Sequence, residues 1–177
     1  SEFEMNLLRN EFNISKELIH YLPFLETIET QESGQKTKEF GERKDFVFMG
    51  NFIHEPNWQT VLHLKKNIWS KIKSKLPQAK LNIYGAYPSQ KVWDLHNEKE
   101  GFLVHGKAEN ALEVIEDARI LLAPIPFGAG QKGKFIDAMQ VGTPIATNSI
   151  GAESMFSDLI PGIMEDEENE FISKTIE

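Results

Sequence analysis

The chain has 177 residues and a formal net charge of −8, with 26% charged and 40% hydrophobic residues. A chain this long buries roughly 70% of its unfolded surface in one core without covalent staples. The negative balance argues against nucleic acid as the main partner, because a phosphate backbone demands clustered cations. The absence of cysteine removes disulfides, thiolate metal sites and cysteine catalysis together. No apolar run approaches the roughly eighteen residues of a membrane span. A cytoplasmic location is expected, with peripheral membrane association left open. Ser1 in place of Met is what a processed product or an excised fragment carries.

Taken in chain order, residues 1–25 read as a short amphipathic helix with Leu7, Leu8 and Phe12, leading to Tyr21, Leu22, Pro23 and Phe24. Residues 29–44 are almost wholly polar and predict a linker or mobile loop. From Asp45 the pattern becomes a regular alternation. Phe46–Met49 predicts a strand closed by Gly50. Trp58, Val61, Leu62, Ile68, Trp69, Ile72 and Leu76 then follow helical spacing, with Asn57 as the expected N-cap and Pro77 as the stop. Leu81–Tyr84 predicts a strand ending at Gly85, Val92–His96 a short helix, and Phe102–His105 a strand ending at Gly106. A helix over 111–118, a strand over 120–125, a helix over 134–141 and a strand over 144–147 follow. Ile163–Met164 predicts a last strand before a helix starting near Glu167. Trp58, Trp69 and Trp93 each fall on an apolar face and are expected in the core.

Strands alternating with helices across short connections predict an α/β fold, a doubly wound parallel sheet of Rossmann-like type. Such sheets bind ligands at the carboxyl edge of their strands. The most informative loop lies there: Gly128-Ala129-Gly130-Gln131-Lys132-Gly133-Lys134 follows the apolar run 120–125 and opens a helix. Backbone amides, a helix N-terminus and ammonium groups converge, which suits a phosphate. The three glycines fit the dinucleotide pattern, but that pattern belongs after the first strand of its unit and wants an acid after the next. The loop also fits most of the phosphate loop of nucleotide triphosphatases, except that Phe135 stands where a magnesium-binding hydroxyl is needed.

A further reading covers the whole chain. Phe48-Met49-Gly50-Asn51-Phe52 with Pro56-Asn57, Asn82-Ile83-Tyr84-Gly85 with Pro88, and His105-Gly106 resemble stretches of the carboxyl-terminal half of GT-B glycosyltransferases. The two most specific stretches are 130–139, Gly130 to Met139, and 142–147, Gly142-Thr143-Pro144-Ile145-Ala146-Thr147. Together they resemble the group called glycosyl transferases group 1. The resemblance implies three segments: residues 1–28 as the tail of an acceptor-side domain and hinge, 29–44 as a polar linker, and 45–177 as a nucleotide-sugar-binding domain cut short at its C-terminal end. It implies one half of a GT-B architecture, inactive without the N-terminal acceptor-binding domain. The alternatives are a phosphate-loop triphosphatase or a nucleotide-sugar epimerase on the same fold.

The resemblance also assigns roles. Lys134 neutralises the diphosphate as charge develops on the leaving group, Lys132 assists, and Asp137 holds the ribose hydroxyls. Gly128, Ala129 and Gly130 let the backbone approach the donor, a nucleotide-diphosphate sugar of UDP or GDP type bound without metal or other cofactor, and Gly50 and Asn51 of the first glycine loop also bind it. Tyr84-Gly85 and His105-Gly106 wall the nucleobase pocket, and Glu153 touches the sugar or the phosphate loop. His105 fits a satisfied sheet-end histidine equally well. Two positions depart from the family: Ala129 stands where a glutamate is frequent, and the Gly50-Asn51 loop lacks an arginine and lysine pair.

Overall fold

The computed structural model of the protein describes residues 1–22, 38–155 and 160–177. Pro23, Phe24 and the 29–37 part of the polar segment lie outside the described residues. Six strands, β1 (Phe46–Met49), β2 (Leu81–Tyr84), β3 (Phe102–Gly106), β4 (Ile120–Ala123), β5 (Ile145–Thr147) and β6 (Gly162–Met164), form one sheet. All its pairings are parallel, in the order β3-β2-β1-β4-β5-β6. The chain therefore winds outward from β1 to β3, then crosses back to β4 on the other side of β1. That reversal opens a crevice at the carboxyl ends of β1 and β4.

The two central strands, β1 and β4, are apolar throughout because both their faces are covered, while β2 buries alternate residues. Phe46, Phe48, Leu81, Ile83, Leu121 and Leu122 are all buried. Helices α5 (Ala111–Asp117) and α6 (Gly133–Gln140) pack together on one face. The opposite face carries α2 (Glu55–His63) and α3 (Trp69–Lys75), with α8 (Glu168–Ile176) against α3. Trp69 sets its ring edge-on to Phe46 at 5.9 Å and donates its indole N–H to the Glu100 carbonyl at 2.8 Å, so the largest core side chain keeps its polar atom satisfied.

Several expectations are corrected. The N-terminal helix α1 spans only Glu2–Asn10; Asn13 adopts φ 51, and a short 3-10 turn follows at Lys16–Leu18. One helix cannot run through a left-handed residue. The long helical pattern after β1 is interrupted by a π-helical stretch, Leu64–Ile68, between α2 and α3. A wider turn shifts the buried face, so Leu64 is buried and Leu62 only half-buried. Asn57 is not the N-cap. The helix starts earlier, at Glu55 after His54, with Pro56 in its first turn where a missing N–H costs nothing. Trp69 is buried and Trp58 half-buried, but Trp93, on the short helix α4 (Gln90–Trp93), is 40% exposed. A one-turn helix leaves a large ring only partly covered. The short helix α7 (Ser149–Ala152) was not expected; Asn148 caps it through Gly151 N–H at 3.0 Å.

The described end of the polar segment, residues 38–44, is docked through the buried Arg43. Its guanidinium donates to Thr143 Oγ1 at 2.7 Å, to the Val141 carbonyl at 2.8 Å and to the Lys38 carbonyl at 3.2 Å. Thr143 in turn donates to the Ile115 carbonyl at 2.8 Å. The Gly142-Thr143-Pro144 motif therefore lies at the amino edge of β5, where it satisfies a buried hydroxyl and a buried cation. Among the described residues, no helix is long and apolar enough to cross a membrane.

Candidate functional site

A cleft of about 360 Å3 opens at the carboxyl ends of β1 and β2, facing the start of α6. Gly50 and Asn51 line it from the β1–α2 connection, Asn57 from the first turn of α2, Gly85 from the end of β2, Lys107 from the loop after β3, and Lys134 and Asp137 from α6. The β1–α2 connection is a tight turn built by Asn51, whose side-chain oxygen accepts the Ile53 N–H at 3.0 Å while its carbonyl accepts His54 N–H at 3.2 Å. That turn leads into α2, and the same Asn51 carbonyl also accepts from Asn57 Nδ2 at 2.7 Å.

Lys134 is the centre of the site. Its ammonium donates to Asn57 Oδ1 at 2.6 Å and sits 4.5 Å from the centroid of the Phe48 ring. Burial, with a smaller push from the like charge of Lys132, lowers its pKa to about 7. Asp137 is one turn further along the same helix and lines the same cleft. The N-cap position of α6 is Lys132, whose side chain makes no capping hydrogen bond; its ammonium donates to the Gly130 carbonyl at 2.6 Å instead. A helix whose first amides lack a capping side chain presents donors and a positive dipole end to the cleft side of the loop.

The glycines divide by purpose. A Cβ on Gly85 would lie 1.8 Å from the Gly50 carbonyl oxygen, and one on Gly50 would lie 2.7 Å from Asn57 Cγ. These two residues let the ends of β1 and β2 close on each other and on Asn57. Gly128 (φ +136) and Gly130 (φ +77) occupy backbone conformations that side chains rarely adopt, with nothing nearer than 3.6 Å to an added Cβ. Ala129 between them is exposed.

The expected site residues do not all meet. Gly50, Asn51, Gly85, Lys134 and Asp137 share the cleft. Glu153 lies instead in a second cleft of about 520 Å3, with Gln131, Ser149, the α1 N-cap Ser1 and the α1 residues Phe3 and Asn6. Lys132 stands between the two: burial lowers its pKa, while Glu153 and Glu4 oppose that shift. Tyr84 and His105 stack on each other with centroids 4.5 Å apart and planes 13° apart, and a His105 ring nitrogen is 2.9 Å from Asn82 Oδ1. Tyr84 faces a polar hollow beside Asp117, not the cleft. Burial raises the Tyr84 pKa, with Asp117 adding to it, and burial lowers that of His105, with His96 adding to it. Gly106 (φ +78) leaves room for the Trp93 ring, 3.2 Å from where its Cβ would be.

Phe135, which occupies the magnesium-ligand position of a phosphate loop, is fully buried. The described residues hold no group of three or more metal-ligating side chains. Lys107, in the loop expected beside the nucleobase, lines the cleft, whereas Asn57 was not anticipated as a site residue. Asn57 follows a proline and carried the signal of a helix cap, which hid its second use.

A six-stranded parallel sheet in this order, with a cationic cleft beside its switch point, defines a Rossmann-like α/β domain. The profile of the family described as glycosyl transferases group 1 matches residues 43–177, and the chain belongs to that family. Solved structures share the GT-B fold. S. aureus TarM, as a mutant in complex with fondaparinux, alpha-GlcNAc-glycerol and UDP, superposes with a TM-score of 0.54 at 16% identity over 80% of this chain and 30% of that one. A second TarM structure gives 0.59 at 16% identity, covering 75% and 28%. WaaG, a glycosyltransferase involved in lipopolysaccharide biosynthesis, gives 0.55 at 14% identity, covering 76% and 38%. The chain thus spans 28% to 38% of the length of these proteins. A comparison with curated proteins gives no match.

Proposed function

We propose that this chain is the donor-binding half of a glycosyltransferase, taking a nucleotide-diphosphate sugar of UDP or GDP type without a metal ion. The observation that carries this reading is Lys134: an ammonium held in a cleft at a helix start, at a pKa lowered to about 7, is a charge that an anionic ligand would complete. The diphosphate rests against Lys134 and the first amides of α6, with Lys132 close behind. As the bond from the sugar to the diphosphate breaks, charge grows on the leaving oxygen, and a preorganised cation stabilises that charge more than it stabilises the intact donor. Asp137, one turn along, accepts from ribose hydroxyls. Gly85 and Lys107 border the side of the cleft left for the base.

In this reading a further domain supplies the acceptor, ending at residues 1–28 and joined through 29–44, so the chain alone binds donor without transferring sugar. TarM solved with UDP supports the ligand class by analogy of fold.

Titration calorimetry of UDP and GDP without magnesium tests the proposal. The expected outcome is binding that Lys134→Ala weakens roughly ten- to a hundredfold, the range of a charge-assisted hydrogen bond. Binding should also take up protons near pH 7 and weaken as pH rises to 8.5, because the ligand needs the charged amine. Absence of binding, or binding indifferent to Lys134, defeats the reading.

A further inference from the structure

Asn57 lies 77 residues before Lys134, yet its carboxamide is clamped at both ends: Nδ2 donates to the Asn51 carbonyl at 2.7 Å and Oδ1 accepts from the Lys134 ammonium at 2.6 Å. Its stem packs on Gly50 so closely that any side chain there would meet it at 2.7 Å. With the amide nitrogen committed to a backbone carbonyl, the oxygen has one direction left, and that direction is the ammonium. We propose that Asn57 is the positioning residue of this site, a neutral acceptor that holds Lys134 charged and aimed into the cleft for the donor diphosphate. The inference rests on the donor-binding reading above.

Neutrality is the point of the residue type. A carboxylate at the same place would also hold the ammonium, but it would compete with the incoming phosphate and repel it. An alanine would leave the ammonium with the Phe48 ring and no acceptor from α2. The other charged groups around Lys134 are Asp137 on its own helix, Lys132 at the helix start and Lys107 from the loop after β3. They are unchanged in Asn57 variants, so a shift in Lys134 titration on substitution reports on position 57.

The first measurement needs no ligand. In lysine-labelled full chain, NMR titration follows Lys134, assigned by its loss in Lys134→Ala. Asn57→Ala should lower the Lys134 pKa, since a hydrogen bond to the charged form is lost, and Asn57→Asp should raise it. The second measurement is UDP or GDP affinity against pH. Asn57→Ala should cost roughly tenfold at pH 8 and clearly less at pH 6, where acid restores the charge. Asn57→Asp should weaken binding at both pH values and abolish proton uptake, because the amine is already charged.

A wild-type pH profile and an unmoved Lys134 titration in both variants would overturn the inference, even with a uniform loss of affinity, since that pattern marks a packing role alone. If Asn57→Ala does not fold, the isosteric Asn57→Asp carries both measurements. Nucleotide binding lost only with Lys134→Ala, at unchanged Asn57 profiles, sinks the positioning role and spares the donor reading. Titration shifts as expected in a wild-type chain that binds no nucleotide support the tether and remove the donor reading.

Discussion

Two glycine-bearing regions, the paired ends of β1 and β2 and the loop after β4, border the site and serve different needs. At β1 and β2, Gly50 and Gly85 are absences: their missing side chains let one backbone approach another and let Asn57 reach Lys134. After β4, Gly128 and Gly130 are conformations: the space around them is open, and their positive φ values turn the loop into α6. The difference teaches that glycine at a ligand-binding edge need not face ligand. Part of the β1–β2 edge is glycine because the protein itself comes close there.

Substitutions separate these two roles. The largest effect is expected from Gly85→Ala. Its new Cβ would stand 1.8 Å from a backbone oxygen, which cannot step aside as a flexible side chain can. A loss of about 3 kcal/mol or more in chemical denaturation is expected, and Gly85→Ser should be no better. Gly50→Ala meets a side chain instead, at 2.7 Å. About 1–2 kcal/mol should be lost, together with the Asn57 tether, so Lys134 titration should move as it does in Asn57→Ala. Gly130→Ala should cost about 1 kcal/mol from its backbone angle alone, and Gly130→Asn less, because asparagine tolerates the left-handed region. Equal effects of Ala and Asn at 130 would erase the distinction between the two regions.

The smallest effect is a gain. The folded pKa of Lys134 lies below its unfolded value, so between pH 7 and about 10 the unfolded chain binds more protons, and this residue's contribution to stability rises with pH. Below pH 7 its buried charge is a cost. Lys134→Met should therefore stabilise the fold at pH 6 by about 1 kcal/mol, a few degrees in Tm, with the gain fading above pH 8. The half-buried state of the residue keeps this well below what the full shift alone would imply.

The central strands β1 and β4 were legible because each is a short apolar run stopped by a glycine or a proline, and such runs report burial on both faces. The glycine loop and Lys134 were legible for a similar reason: strand, loop and helix start are contiguous in the chain. Reading failed where a residue's use depends on distant chain. Asn57 beside Pro56 carries the local signature of a cap, and nothing nearby says that α6 will deliver an ammonium to it. Tyr84 and His105 sit at strand ends beside glycines, but strand pleat and pairing turn their rings toward each other and Asp117 rather than into the cleft. Trp93 has an apolar neighbourhood in sequence and an open one in space.

By itself, then, the sequence determined the alternation of elements, the family and the residue that carries the cation, all of which are encoded in stretches of ten residues or so. Only the tertiary structure decided which glycines make room for the protein, where Glu153 lies, and what holds Lys134. Hydrophobic periodicity describes a segment against its own axis, whereas a hydrogen bond between residues 77 apart exists only once the sheet has set its strand order.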